Sequence, residues 1–171
     1  MSGTDAVATS LEAIATLLAP GSPAVAERVR HAHVDPDGYV RDHADRLEDR
    51  GIEEAVPNLA WIALIDALDE HRLLAEFDWK EDPTEVRGRL TALASRPSVD
   101  PWVLFDAHEM LLPTAEFLDA CGRHYREVGA ALAVLDIESD CYPVVCLRAA
   151  RTEELTALAA RAGFPARSLG V

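Results

Sequence analysis

NLAWIALIDALDEHRLLAEFDWKED, the stretch over residues 58–82, decides the fold of this chain. No residue from 59 to 65 is charged, so no polar face is left for water, and a helix buried on every side is predicted there. Apolar and acidic residues alternate over 75–79, which is the two-residue period of a half-buried strand. The pattern therefore predicts a core helix over 58–72 that leads directly into a strand over 73–79.

Helical signals dominate the residues before this stretch. Apolar residues at helical spacing predict a first helix over 5–19, and Ser22 before Pro23 marks the start of a short second one. Residues 35–38, DPDG, have the composition of a turn. We expect residues 39–50 to form an exposed helix that ends at Gly51.

The second half of the chain mixes helix and strand signals. Asp82 is a helix-capping residue before a proline, so a helix is expected from there to about Ser95. A short helix is expected to open at Pro101, and Pro113 is expected to open the next helix, with an apolar face that runs from Leu118 to Val128. Two apolar runs flank a polar tip and predict a hairpin of strands. The predicted strands cover 131–137 and 143–148. Thr152 is expected to cap a last helix that Gly163 closes, with a short strand over 166–169.

This order of elements predicts an α+β fold in which helices pack on a small mixed β-sheet with a C-terminal hairpin. A chain of 171 residues fits one domain. We therefore expect a single domain over 1–171, with a helical N-terminal part at about 5–50 and a core at about 57–171.

The chain is acidic, with a formal net charge of −14 from 30 acidic and 16 basic residues. Such a field repels nucleic acid and anionic membranes and favours cationic partners. We expect no nucleic-acid or membrane partner and consider a basic protein as the partner.

Three features bear on localisation. No apolar run approaches the 18 or more residues of a membrane span. The first 22 residues have no Lys or Arg before the apolar positions, unlike a signal peptide. The cysteines, Cys121, Cys141 and Cys146, form no C-x-x-C pair, which favours reduced thiols. The expectation is a soluble, cytoplasmic protein.

The first candidate site is Asp78-Trp79-Lys80 with Glu81 and Asp82, at a strand end. An acid and a lysine separated by one residue at a strand end are typical of metal-dependent nucleases, where carboxylates bind magnesium and the lysine stabilises developing charge. The simpler interpretation is that Lys80 is a solvated partner of the neighbouring acids.

A nuclease also needs a further acid, usually on a neighbouring strand. The upstream acids Asp66 and Asp69 lie on the predicted helix instead, and an acidic surface would repel DNA. A metal-dependent hydrolase or nuclease that uses Asp78 and Lys80 is therefore the alternative function.

The second candidate site is the hairpin tip over residues 136–142, DIESDCY. Its three acids, a hydroxyl and a phenol have the chemistry to coordinate a cation or to bind an arginine of a partner. The simpler interpretation is a polar turn, since Asp and Ser are turn formers.

No other motif specifies a reaction. The six histidines show no H-x-x-x-H or H-E-x-x-H spacing, and no phosphate loop, dinucleotide fingerprint or nucleophile elbow is present. Asp106, His108 and Glu109 are close in sequence but are typical of a helix surface rather than of a catalytic triad. Cys121 falls on an apolar helix face and is expected to be buried and inert.

Three stretches resemble the bacterial family of domains of unknown function numbered 6630: WIALIDALDE (61–70), EFDWKED (76–82) and LDIESDCYP (135–143). The resemblance implies a bacterial origin and a single domain. It supplies no catalytic residues.

The acidic balance, the small domain and the lack of a cofactor fingerprint favour a non-catalytic binding module. One concrete version is an immunity-type protein that inhibits a cationic toxin. No catalytic residue, metal ligand or cofactor is predicted. The candidate binding residues are Asp78, Trp79, Lys80, Asp136, Glu138, Asp140 and Tyr142.

Overall fold

The computed structural model describes residues 3–171. The helices are α1 (Gly3–Leu18), α2 (Pro23–Val34), α3 (Pro36–Asp42), α4 (Ala44–Asp49), α5 (Leu59–Glu70), α6 (Pro83–Thr91), α7 (Thr114–Glu127) and α8 (Thr152–Ala162). The strands are β1 (Leu74–Asp78), β2 (Ala130–Leu135), β3 (Cys141–Arg148) and β4 (Ala166–Ser168). Short 3-10 turns cover Pro101–Leu104, Glu109–Leu111 and Ala149–Arg151. No helix in this described part is long and apolar enough to cross a membrane.

The four strands form one sheet in the order β1-β3-β2-β4, and the predicted α+β class is confirmed. All three strand pairings are antiparallel, so the expectation of a mixed sheet is wrong. The physical reason is the place of β3. It lies between β1 and β2, which run in the same direction, so these two strands never pair directly.

Helices cover both faces of the sheet. Successive residues of a strand point to opposite faces, and the buried residues of β1 divide accordingly: Leu74 packs with α1, α2, α5 and α8, whereas Ala75 and Phe77 pack with α6 and α7. Val145 and Val144 of β3 divide in the same way. The sheet is therefore the middle layer between two hydrophobic clusters.

Helix α5 is the core helix that the sequence pattern predicts. Every residue from 59 to 68 is buried, and Trp61, Leu64 and Ile65 have no exposed surface. Burial of each large apolar side chain contributes roughly 1.5–3 kcal/mol to the stability of the fold. The buried run extends past Ile65 to include one charged residue, Asp66, which is 1% exposed.

Several predicted boundaries are confirmed. The Asp82 carboxylate accepts a hydrogen bond from the Thr84 N–H at 2.8 Å and caps α6. Gly163 ends α8 in the left-handed conformation, with φ of 84°. The predicted hairpin is β2 with β3, and the short last strand is β4.

Thr152 is the first residue of α8 rather than the predicted cap, and its hydroxyl donates to the Ala149 carbonyl at 2.9 Å.

Other boundaries differ. The DPDG segment begins α3, because the Asp35 carboxylate caps the helix by accepting from the Gly38 N–H. Residues 39–50 form two short helices instead of one exposed helix, since His43 leaves the helical conformation and Tyr39 and Leu47 point into the core with no exposed surface.

The lengths of two helices also differ from expectation. Helix α2 has 12 residues, because Val25, Val29 and Ala32 continue its buried face. Helix α6 ends at Thr91 rather than near Ser95, where the Ala94 N–H bonds to the Arg72 carbonyl at 2.8 Å instead of continuing the helix.

Candidate functional site

The two candidate segments lie side by side at one end of the sheet. Asp78, the last residue of β1, is opposite Cys141, the first residue of β3. One residue further, the Trp79 N–H donates a hydrogen bond to the Asp140 carbonyl at 3.0 Å. We call residues 78–82 and 136–140 together the acidic rim.

The side chains of the acidic rim differ in exposure. Four charged residues of the rim are exposed: Asp78, Lys80, Glu138 and Asp140. Trp79 is 52% exposed, which is an unusual position for the largest apolar side chain. Tyr142 is half-buried against the α6 and α7 side of the sheet. Of the seven predicted binding residues, Tyr142 and Asp136 therefore contribute least exposed surface.

The acids of the rim lack basic partners. Within residues 3–171, no ion pair joins Asp78, Glu138 or Asp140 to an arginine, lysine or histidine. Their charge is therefore not neutralised by a basic side chain in direct contact. Such unpaired charges are available to a cationic partner.

Asp136 holds the hairpin loop in place. Its Oδ1 atom accepts a hydrogen bond from the Glu138 N–H at 2.7 Å, and its own N–H donates to the Pro165 carbonyl at 3.0 Å. Its carbonyl accepts from Trp61 Nε1 at 3.0 Å, which ties the loop to the core helix. Glu138 adopts a φ of 56°, a conformation that costs energy for a non-glycine residue and persists where its surroundings hold it. Asp136 is therefore a structural residue of the loop.

Lys80 does not pair with the carboxylates around it. Its Nζ atom lies 4.4 Å from the centroid of the Trp79 ring, a cation–π contact, and only its backbone N–H approaches Asp78, at 3.5 Å. The Glu81 carboxylate accepts from the Asp78 N–H at 3.2 Å and closes the turn. Among residues 3–171, no group of three His, Cys, Asp or Glu side chains is placed to hold a metal ion.

A buried ionic network, which the sequence analysis missed, lies next to the rim. Arg50 Nη2 is 2.6 Å from Asp66 Oδ1 and 2.6 Å from Glu76 Oε1, and Arg46 approaches Asp66 at 3.2 Å. Burial alone lowers the pKa of Arg50, but its hydrogen bonds to Glu76 and Asp66 outweigh that effect and raise its pKa. Arg50 is therefore fully charged and joins the 43–50 region to α5 and β1.

An open pocket of about 410 Å³ lies between this network and the hairpin loop. Arg50 and Glu76 of the network line the pocket, together with Ser139 and Cys141 of the hairpin. Burial and the nearby carboxylates of Glu76 and Asp78 raise the pKa of the Cys141 thiol. Cys141 is therefore mostly protonated at neutral pH and is a weak nucleophile.

The sequence contained one signal for the network. Asp66 interrupts an apolar helical run, and a buried carboxylate requires a basic partner. The identity of that partner was not readable, because Arg50 lies 16 residues before Asp66 and 26 before Glu76. Burial of Cys121, in contrast, was predicted and is confirmed, and burial raises the pKa of its thiol.

The fold and this geometry define a small α+β protein with an exposed acidic surface at one end of its sheet. The chain belongs to a family described as Domain of unknown function (DUF6630), whose model matches residues 10–169. No curated protein and no solved structure matches the chain.

Proposed function

We propose that the protein is a non-catalytic binding module that engages a basic protein partner through the acidic rim. The observation that carries this proposal is the exposed Trp79, 52% accessible, among carboxylates that have no basic partner. Tryptophan is enriched at the energetic centres of protein interfaces, and its ring also attracts arginine and lysine side chains.

The charge of the rim supports a cationic partner. Unpaired carboxylates such as Glu138 and Asp140 increase the rate of encounter with a basic surface, and the net charge of −14 adds to this long-range attraction. One concrete version of the proposal is an immunity-type inhibitor that covers the cationic surface of a toxin.

The rigidity of the loop also supports binding. The hydrogen bonds of Asp136, together with the bond from the Trp79 N–H to the Asp140 carbonyl, hold the rim in one conformation. A preordered surface loses less conformational entropy when a partner binds. The proposal includes a bacterial cytoplasm as the place of action, in keeping with the free thiols of the chain.

Affinity capture from the native cell extract with three forms of the full chain tests the proposal. The first form is the wild type, the second is Trp79→Ala, and the third carries Glu138→Arg with Asp140→Arg. We expect the wild type to retain a stoichiometric partner at low salt and to release it at high salt, because exposed charges are screened. Both rim variants should lose the same partner, which mass spectrometry identifies.

A matched control distinguishes the effect of the rim on binding from the effect of net charge. Glu27→Arg with Asp37→Arg makes the same change in charge on α2 and α3, where both residues are exposed and form no ion pair. This variant should keep the partner. Equal loss of the partner in the control and in the rim variant would show that only net charge matters and would contradict the proposal.

The alternative function, a metal-dependent hydrolase or nuclease that uses Asp78 and Lys80, stays a prediction. It requires turnover of a nucleic acid or phosphoester substrate in the presence of magnesium or manganese. Asp78→Asn and Lys80→Ala should then abolish turnover while thermal unfolding stays unchanged. Such a result would replace the binding proposal with an enzymatic one.

A further inference from the structure

Two adjoining cavities lie at the opposite end of the sheet from the acidic rim. Strand β3 begins at the rim with Cys141 and ends seven residues later at Arg148, so the two ends are about 23 Å apart at the usual rise of a strand. The cavities have volumes of about 330 and 390 Å³, and they share Ser95, Leu147 and Arg148. We call them together the arginine pocket.

The charge of the arginine pocket is opposite to that of the chain. Arg96 lines the first cavity, Arg151 lines the second, and Arg148 lines both. No acidic residue among residues 3–171 lines either cavity, although the chain has 30 acidic and only 16 basic residues. The pocket is therefore a local concentration of positive charge in an acidic protein.

Two of these arginines have no anionic partner. Within residues 3–171, neither Arg96 nor Arg148 forms an ion pair with an acidic residue. The Arg96 side chain donates only to the Leu93 carbonyl, at 3.0 Å. Arg151, in contrast, pairs with Glu154 at 2.8 Å on the surface. The guanidinium groups of Arg96 and Arg148 keep free N–H donors, which match the geometry of phosphate and carboxylate oxygens.

A buried hydroxyl belongs to Ser95, a residue of the pocket wall that directly precedes Arg96 in the chain. Ser95 Oγ is inaccessible to solvent and has no hydrogen-bond partner within residues 3–171. A buried hydroxyl without a partner costs about 1–3 kcal/mol. Rotation of the Ser95 side chain about its Cα–Cβ bond toward the cavities that the residue lines would let the hydroxyl donate to an oxygen atom of a bound ligand and would remove this cost.

Apart from Ser98, the rest of the wall is apolar. Leu17, Leu18 and Leu147 line the second cavity, and Val128 and Pro97 line the first. Polar donors grouped over an apolar wall are typical of sites for small organic ligands. We propose that the arginine pocket binds a small organic molecule through a phosphate or carboxylate group, which Arg96, Arg148 and Ser95 hold.

The net charge of the chain does not prevent this binding. Charges separated by more than about 8 Å are largely screened at physiological ionic strength. The guanidinium groups that line the cavity are nearer to a bound anion than that distance, whereas the acidic rim is at the other end of β3. The site is also independent of the function proposed for the rim.

Calorimetric titration of the full chain tests the inference. The probes are glycerol phosphate, inorganic phosphate and citrate, added at constant ionic strength so that general screening does not change. We expect saturable binding with one site per chain. A preference for the phosphate probes or for citrate identifies which oxyanion group the pocket takes.

Variants connect the binding to the named residues. Arg96→Gln with Arg148→Gln should weaken binding by about tenfold or more, because each removes a charge-assisted hydrogen bond. Ser95→Ala should weaken binding without changing the charge. Arg41→Gln with Arg161→Gln removes two exposed arginines that form no ion pair and should leave the affinity unchanged.

Three outcomes would overturn the inference. The first is the lack of saturable binding of every probe. The second is an equal loss of affinity in the Arg41 and Arg161 control, which would indicate a general effect of charge. The third is unchanged binding by the Arg96 and Arg148 variant with its fold intact, verified by circular dichroism.

Discussion

Glu76 and Asp78 are two residues apart on one strand and point to the same face of the sheet, yet their surroundings are opposite. Glu76 is half-buried and bonded to Arg50 in the ionic network, whereas Asp78 is exposed in the acidic rim and pairs with no basic side chain. Both positions carry an acidic residue on the same face of the same strand. The difference shows that a neighbouring arginine, not the acid itself, decides whether a carboxylate stabilises the fold or is available to a partner.

The largest expected effect on stability comes from a substitution that places a carboxylate in the core without an arginine partner. Leu64→Asp places such a group two residues before Asp66 in α5, at a position with no exposed surface. Burial of an unpaired charge costs several kcal/mol, a large part of the total stability of a domain of about 5–15 kcal/mol. We expect the variant to unfold, as measured by circular dichroism and thermal melting.

Leu64→Met is the matched control for that variant. It keeps the volume and the apolar character of the side chain and should cost less than about 1.5 kcal/mol. A native spectrum and an unchanged melting temperature in Leu64→Asp would show that α5 is not the core helix.

A second large effect is expected when the network loses Arg50, the arginine that bonds to both Asp66 and Glu76. Arg50→Met keeps much of the side-chain volume but leaves Asp66 and Glu76 without their shared partner. Removal of one member of a buried ion pair costs about 3–5 kcal/mol. Urea denaturation measures the change in the free energy of unfolding.

Arg41→Met is the control for the network variant, because Arg41 is exposed and forms no ion pair. Its cost should be within about 0.5 kcal/mol. If Arg50→Met lowered the free energy of unfolding by as little as Arg41→Met, the network would not be a stabilising feature of the fold. The contrast between Glu76 and Asp78 would then disappear.

A moderate effect is expected within the rim itself. Asp136→Ala removes the hydrogen bond to the Glu138 N–H and should cost about 1 kcal/mol, the usual contribution of such a bond. Asp140→Ala should cost less than about 0.5 kcal/mol, since its carboxylate is exposed and unpaired. The midpoints of urea denaturation of the Asp136→Ala and Asp140→Ala variants provide the comparison. Equal midpoints would contradict the structural role of Asp136.

The smallest effect concerns the reactivity of Cys141. Burial, with Glu76 and Asp78 next in importance, raises the pKa of this thiol, so removal of one negative charge should lower that pKa toward its ordinary value. Asp78→Asn should therefore increase the rate of alkylation by iodoacetamide near neutral pH, because the thiolate is the reactive form. The expected increase is below about tenfold, which corresponds to one pKa unit.

Mass spectrometry separates the alkylation of Cys141 from that of the buried Cys121 and Cys146. Asp140→Asn is the control, because its exposed carboxylate is not among the main causes of the raised pKa of Cys141. An equal increase in both variants would indicate that the hairpin loop had opened rather than that the pKa had changed.

Most of the secondary structure was predictable, because its causes are local. The uncharged run of α5, the alternation in β1 and the Asp82 cap of α6 each depend on residues within a few positions of one another. The same holds for Gly163, whose freedom at positive φ ends α8. The composition of the two candidate segments was also evident, since their acids are adjacent in the chain.

The tertiary structure alone decided which of these acids meet and which are neutralised. The place of β3 between β1 and β2 makes the sheet antiparallel and brings Trp79 to Asp140. The bond from Trp61 to the Asp136 carbonyl joins residues 75 positions apart, and the unpaired arginines of the arginine pocket come from separate segments of the chain. Contacts of this kind arise from the packing of the whole chain, so no local pattern of residues records them.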